Sequence, residues 1–261
     1  MKIKDRVVVV TGGASGIGAA LCRKLATLEP KGLAILDIDA GKASVLAEEL
    51  GALGLAVDVS KEDEVKSSID EVEAAFGPID IYVANAGIGH LGGVELDNQT
   101  WQSTWEVNVM AHVFAARALL PAMIERGEGY LVFTSSAAGM LVNMGTAAYT
   151  ATKHAALGLA EWLAVTHGPQ GIKVSCICPQ FVRTPMVEEF DLTPKMRAFV
   201  NEGIIEADQV ALDIIAGIDR EEFLILPHPI VTEFVQAKAH NHQKWLETMM
   251  GMNQAFMGAK K

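Results

Sequence analysis

A chain of 261 residues, half of them apolar and one-fifth charged, suffices for one large core and is long for two independent domains. A formal net charge of −11 and a pI near 5.1 argue against nucleic acid as a partner, because a phosphate-binding surface needs concentrated Lys and Arg. Cys22, Cys176 and Cys178 are odd in number and lack metal-site spacing, which predicts reduced core residues, no metal and a cytoplasmic protein.

From the N-terminus, "MKIKDRVVVVTGG" offers an apolar run of only four residues, too short for a signal-peptide core or a membrane span. Strands are predicted over 6–11, 33–38, 55–59, 79–85, 130–135, 173–179 and 223–227. Helices are predicted over 16–29, 41–50, 61–76, 99–126, 149–167 and 207–217. The strands are apolar along their whole length, which implies burial on both faces and a parallel sheet. The expected fold is therefore α/β: a single Rossmann-like domain with a doubly wound, mostly parallel seven-stranded sheet, helices on both faces, and ligands at the carboxyl ends of the strands.

Two regions break the alternation. Residues 184–206 carry two prolines, mixed charges and scattered large apolar side chains, as a substrate lid would. The tail from 228 reads as a helix whose Val231, Phe234, Val235, Trp245, Met249 and Met250 need cover from the body or a second subunit. Lys260 and Lys261 end the chain as a solvated tail.

The chemistry begins at "VVVVTGGASGIGAAL", where a strand turns on glycines and opens a helix. Glycines let the backbone approach a pyrophosphate, and the helix N-terminus supplies free N–H groups. Asp37 follows nineteen residues beyond Gly18 at the end of the second predicted strand, where a carboxylate accepts the adenosine ribose hydroxyls and repels a 2′-phosphate. Neither Ser15 nor Ile38 is basic, so NAD is expected rather than NADP. Asp39 either shares that role or is an exposed turn residue. Further along, Tyr149 and Lys153 stand four apart in "AYTATKHAALGLAEWLAV", on one face of a predicted helix. Alone, such a pair reads more readily as a surface Lys stem packed on a half-buried Tyr.

"TGGASGIG", "DV" at 58–59, "NAG" at 85–87, Asn108, "SS" at 135–136, "YTATK" at 149–153 and "PQFVRTP" at 179–185 occur in the order seen in the short-chain dehydrogenase/reductase family, and the chain resembles its compact single-domain branch. The resemblance implies an NAD-dependent oxidoreductase acting on a secondary alcohol or ketone. It implies that Gly12, Ser15, Gly16, Ile17, Gly18, Asp37, Ile38, Asp58, Val59, Asn85, Ala86 and Gly87 bind the cofactor, with Asp58 at the adenine and Asn85 beside the ribose. Pro179, Val182 and Thr184 would grip the nicotinamide carboxamide. Asn108 would hold a water leading to Lys153. Ser136, thirteen residues before Tyr149, is the implied catalytic serine, and Ser135 is expected to meet backbone partners.

The pair then has a reason. A phenol with a pKa near 10 is mostly protonated at neutral pH, and lowering it by ~2–3 units requires roughly 3–4 kcal/mol. An ammonium ~4 Å away at an effective dielectric near 20 supplies about 4 kcal/mol. Tyr149 is expected as general acid/base, tuned by Lys153, with Ser136 steadying the substrate oxygen. Pocket candidates His90, Met140, Met144, Gln180 and Met186, with Ile88, Leu91, Leu141, Val142 and Phe190, are mostly apolar and fit a hydrophobic small molecule. Gln180 replaces the glycine common in the family, and "LILPHP" replaces a glycine-rich ending. A homodimer or homotetramer through helices 102–125 and 149–167 is expected by the same resemblance. A non-catalytic nucleotide sensor on this fold would have no need of Asn108, Ser136, Tyr149 and Lys153 together.

Overall fold

The computed structural model describes residues 1–257; Lys260 and Lys261 lie outside the described residues. The main sheet contains β1 (Val7–Thr11), β2 (Gly32–Asp37), β3 (Leu53–Ala56), β4 (Ile81–Ala84), β5 (Gly129–Thr134), β6 (Ile172–Ile177) and β9 (Leu224–Ile225). Their order is β3-β2-β1-β4-β5-β6-β9, and every pair is parallel. The short strands β7 (Val182–Arg183) and β8 (Ile205–Glu206) form a separate parallel ribbon. The helices are α1 (Gly16–Ala26), α2 (Ala40–Leu50), α3 (Glu62–Phe76), α4 (Asn98–Trp105), α5 (Ala111–Arg126), α6 (Ala147–His167), α7 (Pro185–Glu188), α8 (Pro194–Gly203), α9 (Ala207–Arg220), α10 (Ile230–His240) and α11 (His242–Met257).

Side chains alternate across each strand, so an uninterrupted apolar strand must be covered twice. Val9, Leu36, Leu131 and Phe133 face one layer, packing with Val65 and Ile69 of α3, Ala115 and Leu119 of α5, and Leu163 of α6. Val8, Val10, Ile35, Val83 and Val132 face the other, against Leu21 and Leu25 of α1, Leu46 of α2 and Ile214 of α9. The result is one domain with a two-layered core. Winding reverses between β1 and β4, which opens a crevice at their carboxyl ends.

The run Asn98–Arg126 is long and apolar enough to cross a membrane by length and composition. Here it buries Asn108, His112, Ala115, Leu119 and Met123, as a core helix does. A π-turn over Glu106–Met110 interrupts it. Asp39 caps α2 by accepting from the Lys42 N–H at 3.0 Å, a structural duty at the turn. The third strand ends at Ala56 rather than 59, leaving Asp58 and Val59 in the following turn. The single expected C-terminal helix is two, broken at Asn241.

Candidate active site

The glycine turn sits at the reversal of winding. Gly16 has φ +48°, and a Cβ there would press on the Thr184 methyl at 3.0 Å; a Cβ at Gly18 would collide with the Gly12 carbonyl. Ser15 stands at the N-cap of α1 without a side-chain cap, so the first-turn N–H groups point outward unclaimed by a side chain, as a pyrophosphate site requires. Asp37 Oδ2 accepts from the Ala14 N–H at 2.9 Å, and Oδ1 accepts from the Asp39 N–H at 3.0 Å. The carboxylate thereby braces the glycine turn while keeping outward lone pairs. Ile38 beside it is 73% exposed, and Ile17 packs on the core edge.

Asp58 and Asn85 carry structural duties as well. Asp58 Oδ1 accepts from the Ser60 N–H at 3.0 Å and hydroxyl at 2.7 Å, closing the turn after β3, and Val59 is buried. Asn85 donates to the Thr11 and Gly12 carbonyls at 3.1 and 3.3 Å and accepts from Thr134 at 3.3 Å, stitching the ends of β1, β4 and β5 together. Ala86 lies against Gly12, where a Cβ would meet it at 2.9 Å.

Asn108 is fully buried in the π-turn. Its Oδ1 accepts from the Ile88 N–H at 2.9 Å, and its Nδ2 donates to the Ile88 carbonyl at 2.9 Å and to Thr152 at 3.0 Å. Around Gly87 the groups converge: a Cβ there would lie 3.3 Å from both Asn108 Oδ1 and Lys153 Nζ. Lys153, 2% exposed, donates to the Thr134 carbonyl at 2.8 Å, and its ammonium stands 5.5 Å from the Tyr149 ring centroid. Ser135 donates to the Lys153 carbonyl at 2.7 Å, while Ser136 accepts from the Ala138 N–H at 3.1 Å and faces the cavity. Ser135 therefore meets the backbone partner expected of it.

Electrostatics here modify the expectation for the tyrosine. Burial pushes the Tyr149 phenol above its usual value, against a downward pull from the Ser136 hydrogen bond. Burial also pushes Lys153 down to about 8. In this dry pocket desolvation penalises the phenolate more than the site's own dipoles reward it, so the side chains alone do not make Tyr149 acidic.

The segment after β6 is held by a residue the sequence reading passed over. His228 is buried; its Nδ1 accepts from the Gln180 N–H at 3.1 Å, and its Nε2 donates to the Phe181 carbonyl at 3.1 Å. Burial lowers its pKa, which keeps the ring neutral and able to accept and donate at once. Pro179 O accepts from the Ala137 N–H at 2.8 Å, Val182 is buried in β7, and Thr184 lies over Gly16. Gln180 is not among the positive-φ residues, so no glycine is needed at that turn. Exchanging His228 for Phe is expected to raise the KM for the dinucleotide several-fold with a smaller change in kcat, and His228→Gln to restore part of it, because an amide also offers one acceptor and one donor. Steady-state kinetics at varied dinucleotide concentration checks this.

His112 was also unforeseen. It lies one turn beyond Asn108, fully buried, with its ring 5.0 Å from Phe133 and neither nitrogen hydrogen-bonded. Burial pushes its pKa down to about 3, so the ring is neutral. Gly89 was missed too: a Cβ there would press the Tyr149 ring at 3.2 Å. Chain spacing gives no signal for either.

Above Tyr149 and Ser136 opens a cavity of about 570 Å³. The expected Met144, Gln180 and Met186 line it, with Leu91, Leu141, Val142 and Phe190. His90 and Met140 do not. His90 is exposed beyond the Asn85–Gly89 turn, and Met140 packs beneath Trp245, its carbonyl held by Lys238 at 2.6 Å. Both irregular regions form the far wall. Arg197 ties the segment between α7 and α8 by donating to the Val187 and Phe190 carbonyls at 3.2 and 2.6 Å. Phe199 of α8 packs between Phe181 and Phe256, with ring centroids 5.7 and 4.9 Å away, fastening α11 to α8.

Known proteins share this arrangement. Residues 6–195 match the family model of the short chain dehydrogenases. The chain is 37% identical over 199 residues to a 1-deoxy-11-beta-hydroxypentalenate dehydrogenase of Streptomyces exfoliatus (72% of this chain, 71% of that one). It is 34% identical over 190 residues to 3beta-hydroxysteroid dehydrogenase 2 of Eggerthella lenta (70% and 73%), and 35% identical over 191 to D-threitol dehydrogenase of Mycolicibacterium smegmatis (71% and 73%). The crystal structure of a short-chain dehydrogenase/reductase from Burkholderia phymatum in complex with NAD superposes with a TM-score of 0.83 at 28% identity, covering 93% of this chain and 96% of that one. The doubly wound sheet, the glycine turn and these matches together make the chain a member of the short-chain dehydrogenase/reductase family, an oxidoreductase of alcohol and carbonyl groups served by a nicotinamide dinucleotide.

Proposed function

We propose that the protein is an NAD-dependent dehydrogenase that interconverts a hydrophobic secondary alcohol and its ketone, with Tyr149 as general acid/base. The observation that carries this reading is the placement of Tyr149 and Ser136 on the floor of an apolar cavity, with Lys153 behind them and the glycine turn alongside. The dinucleotide, when bound, supplies the hydride acceptor or donor. The protein's residues then do the rest. Ser136 steadies the substrate oxygen, and Tyr149 takes the hydroxyl proton in oxidation or returns it in reduction. Lys153, aimed by the Thr134 carbonyl, holds positive charge near the phenol and meets the nicotinamide ribose hydroxyls. Because burial alone raises the phenol, that charge and the cofactor's own are both required to bring Tyr149 toward neutral pH.

NAD is favoured over NADP by Asp37. Its two backbone donors hold the carboxylate at the ribose position, and Lys42, a cation on the adjoining helix, is engaged with Asp39 at 3.0 Å. Replacing Asp37 by Ala is expected to narrow the NAD/NADP ratio in kcat/KM by tenfold or more; an unchanged ratio removes Asp37 from this role. Asp37→Asn, which keeps an acceptor for Ala14, separates loss of charge from loosening of the glycine turn.

The lining favours a substrate like those named for the pentalenate and hydroxysteroid relatives over a small polyol such as threitol, because a polyol would leave its hydroxyls unpaired against Met and Phe. The exposed Trp105, Trp162 and Val165 on α4 and α6 support a homodimer or homotetramer through that side, and the buried free cysteines suit the cytoplasm. The test is a panel of alicyclic, steroidal and short polyol alcohols assayed by NADH absorbance. Turnover of the first two classes above the polyols is expected; absence of turnover on every alcohol and ketone overturns the assignment.

A further inference from the structure

The cavity carries information about its ligand beyond apolarity. The far wall comes from α8, α10 and α11, almost wholly beyond residue 195, where the family match ends. Those elements contribute Met196, Met249 and Met252, which with Met144 and Met186 give an adaptable, thioether-rich wall that can mould itself to an extended skeleton. At about 570 Å³ the space suits a molecule of drug-like size rather than a short alcohol.

Its charge is unusual for this protein. In a chain of net charge −11, no Asp or Glu among the described residues lines the cavity. Among the described residues Lys244 is the one lining side chain with a full charge, and its ammonium makes no ion pair with any of them. His240 and Asn241, at the break between α10 and α11, line the same rim. All three are exposed, whereas Ser136 is buried at the floor, so the cation stands at the solvent-facing end and the reacting hydroxyls at the closed one. An alcohol without charge gives no reason for this pattern; a molecule with an anionic end does, because its carboxylate would otherwise lie among Trp245 and methionines with no cation to meet it.

We propose that the substrate is an amphipathic anion: a secondary alcohol or ketone on an extended apolar skeleton that also bears a carboxylate-like group, seated at Lys244 with help from His240 and Asn241. This rests on the alcohol–ketone reading of the same cavity and adds the second functional group. Lys244 is a specificity residue, distant from the chemistry.

The test uses the full chain with NAD and two probes of equal skeleton, dodecanoate and methyl dodecanoate, in calorimetric titrations at low salt. The readout is the ratio of the acid's affinity to the ester's, because hydrophobic contact is common to both. Lys244→Met is expected to lower that ratio threefold or more and Lys244→Glu to lower it further, consistent with an ion pair near the surface that salt also weakens. Lys244 is exposed on α11, so neither variant disturbs the core. A ratio that stays within threefold in both variants, or failure of both probes to bind, overturns the proposal. Because binding is read without turnover, an enzyme that prefers the acid yet oxidises no alcohol would sink the catalytic reading and leave the anion site standing.

Discussion

Replacement of Tyr149 by Phe is expected to cut turnover by about two to four orders of magnitude, the usual worth of a positioned acid/base. Affinity for NAD should stay near that of the wild type. The ring is retained and so is its contact along Gly89, while Ser136 keeps its donor from Ala138. Steady-state NADH formation measures the first effect and titration of intrinsic fluorescence the second. Residual activity within tenfold of the wild type would remove Tyr149 from the proton transfer. The pH dependence follows from the same group. Oxidation needs the phenolate, so its rate should climb with pH toward the phenol's pKa, and reduction, which needs the phenol, should fall over the same interval. Burial raises that pKa in the free protein, and Lys153 with the bound nicotinium lowers it, so the change in oxidation rate should lie below the pKa of the free protein's phenol.

Lys153→Met is expected to lower kcat by at least a hundredfold and to move the alkaline limb of the oxidation profile upward, since the phenol loses its positive neighbour. The same variant should be more stable at neutral pH. The ammonium is held at 2% exposure with one carbonyl partner, and its folded pKa of about 8 lies below the ordinary Lys value. A lysine with a depressed pKa destabilises the folded state wherever the unfolded chain binds the extra proton. The penalty is therefore full below about 8 and disappears as pH rises through the unfolded value near 10.5. Thermal unfolding should show the Met variant ahead by roughly 1–3 kcal/mol at pH 7, with the gap closing between these limits. A variant less stable at pH 7 would contradict that sign. Activity lost while stability is gained is the signature of a residue kept for function.

Much of this was legible before any coordinates. Uninterrupted runs such as "VVVVT" can only be strands covered on both faces, and the glycine turn, Asp37 and the Tyr149–Lys153 pair lie within short local windows where spacing fixes geometry. What the sequence hid depends on contacts across the chain. The bond from His228 to Gln180 joins residues forty-eight apart, and no local pattern announces it. Asn108 lies within the helix predicted over 99–126, and the π-turn around it goes with bonds to Ile88 and Thr152 that the local sequence does not show. His90 reads from sequence as a substrate contact or as a loop histidine near solvent, and the fold leaves it exposed outside the cavity. The net rise in the Tyr149 pKa was invisible for a similar reason: spacing reports the neighbouring charge and says nothing of how dry the site is.

The ribbon of β7 and β8 has an evolutionary corollary. Val182 pairs with Ile205 and Arg183 with Glu206, so the excursion between them begins and ends at adjacent points of that ribbon. An excursion pinned at its neck adds little closure entropy when it lengthens, since each doubling costs only about 0.6 kcal/mol. The residues between Thr184 and Ile205 thus form a cassette, replaceable in sequence and size while the dinucleotide half of the protein, Thr184 over Gly16 included, keeps its register. New ligand preferences can be grafted there without the framework being rebuilt.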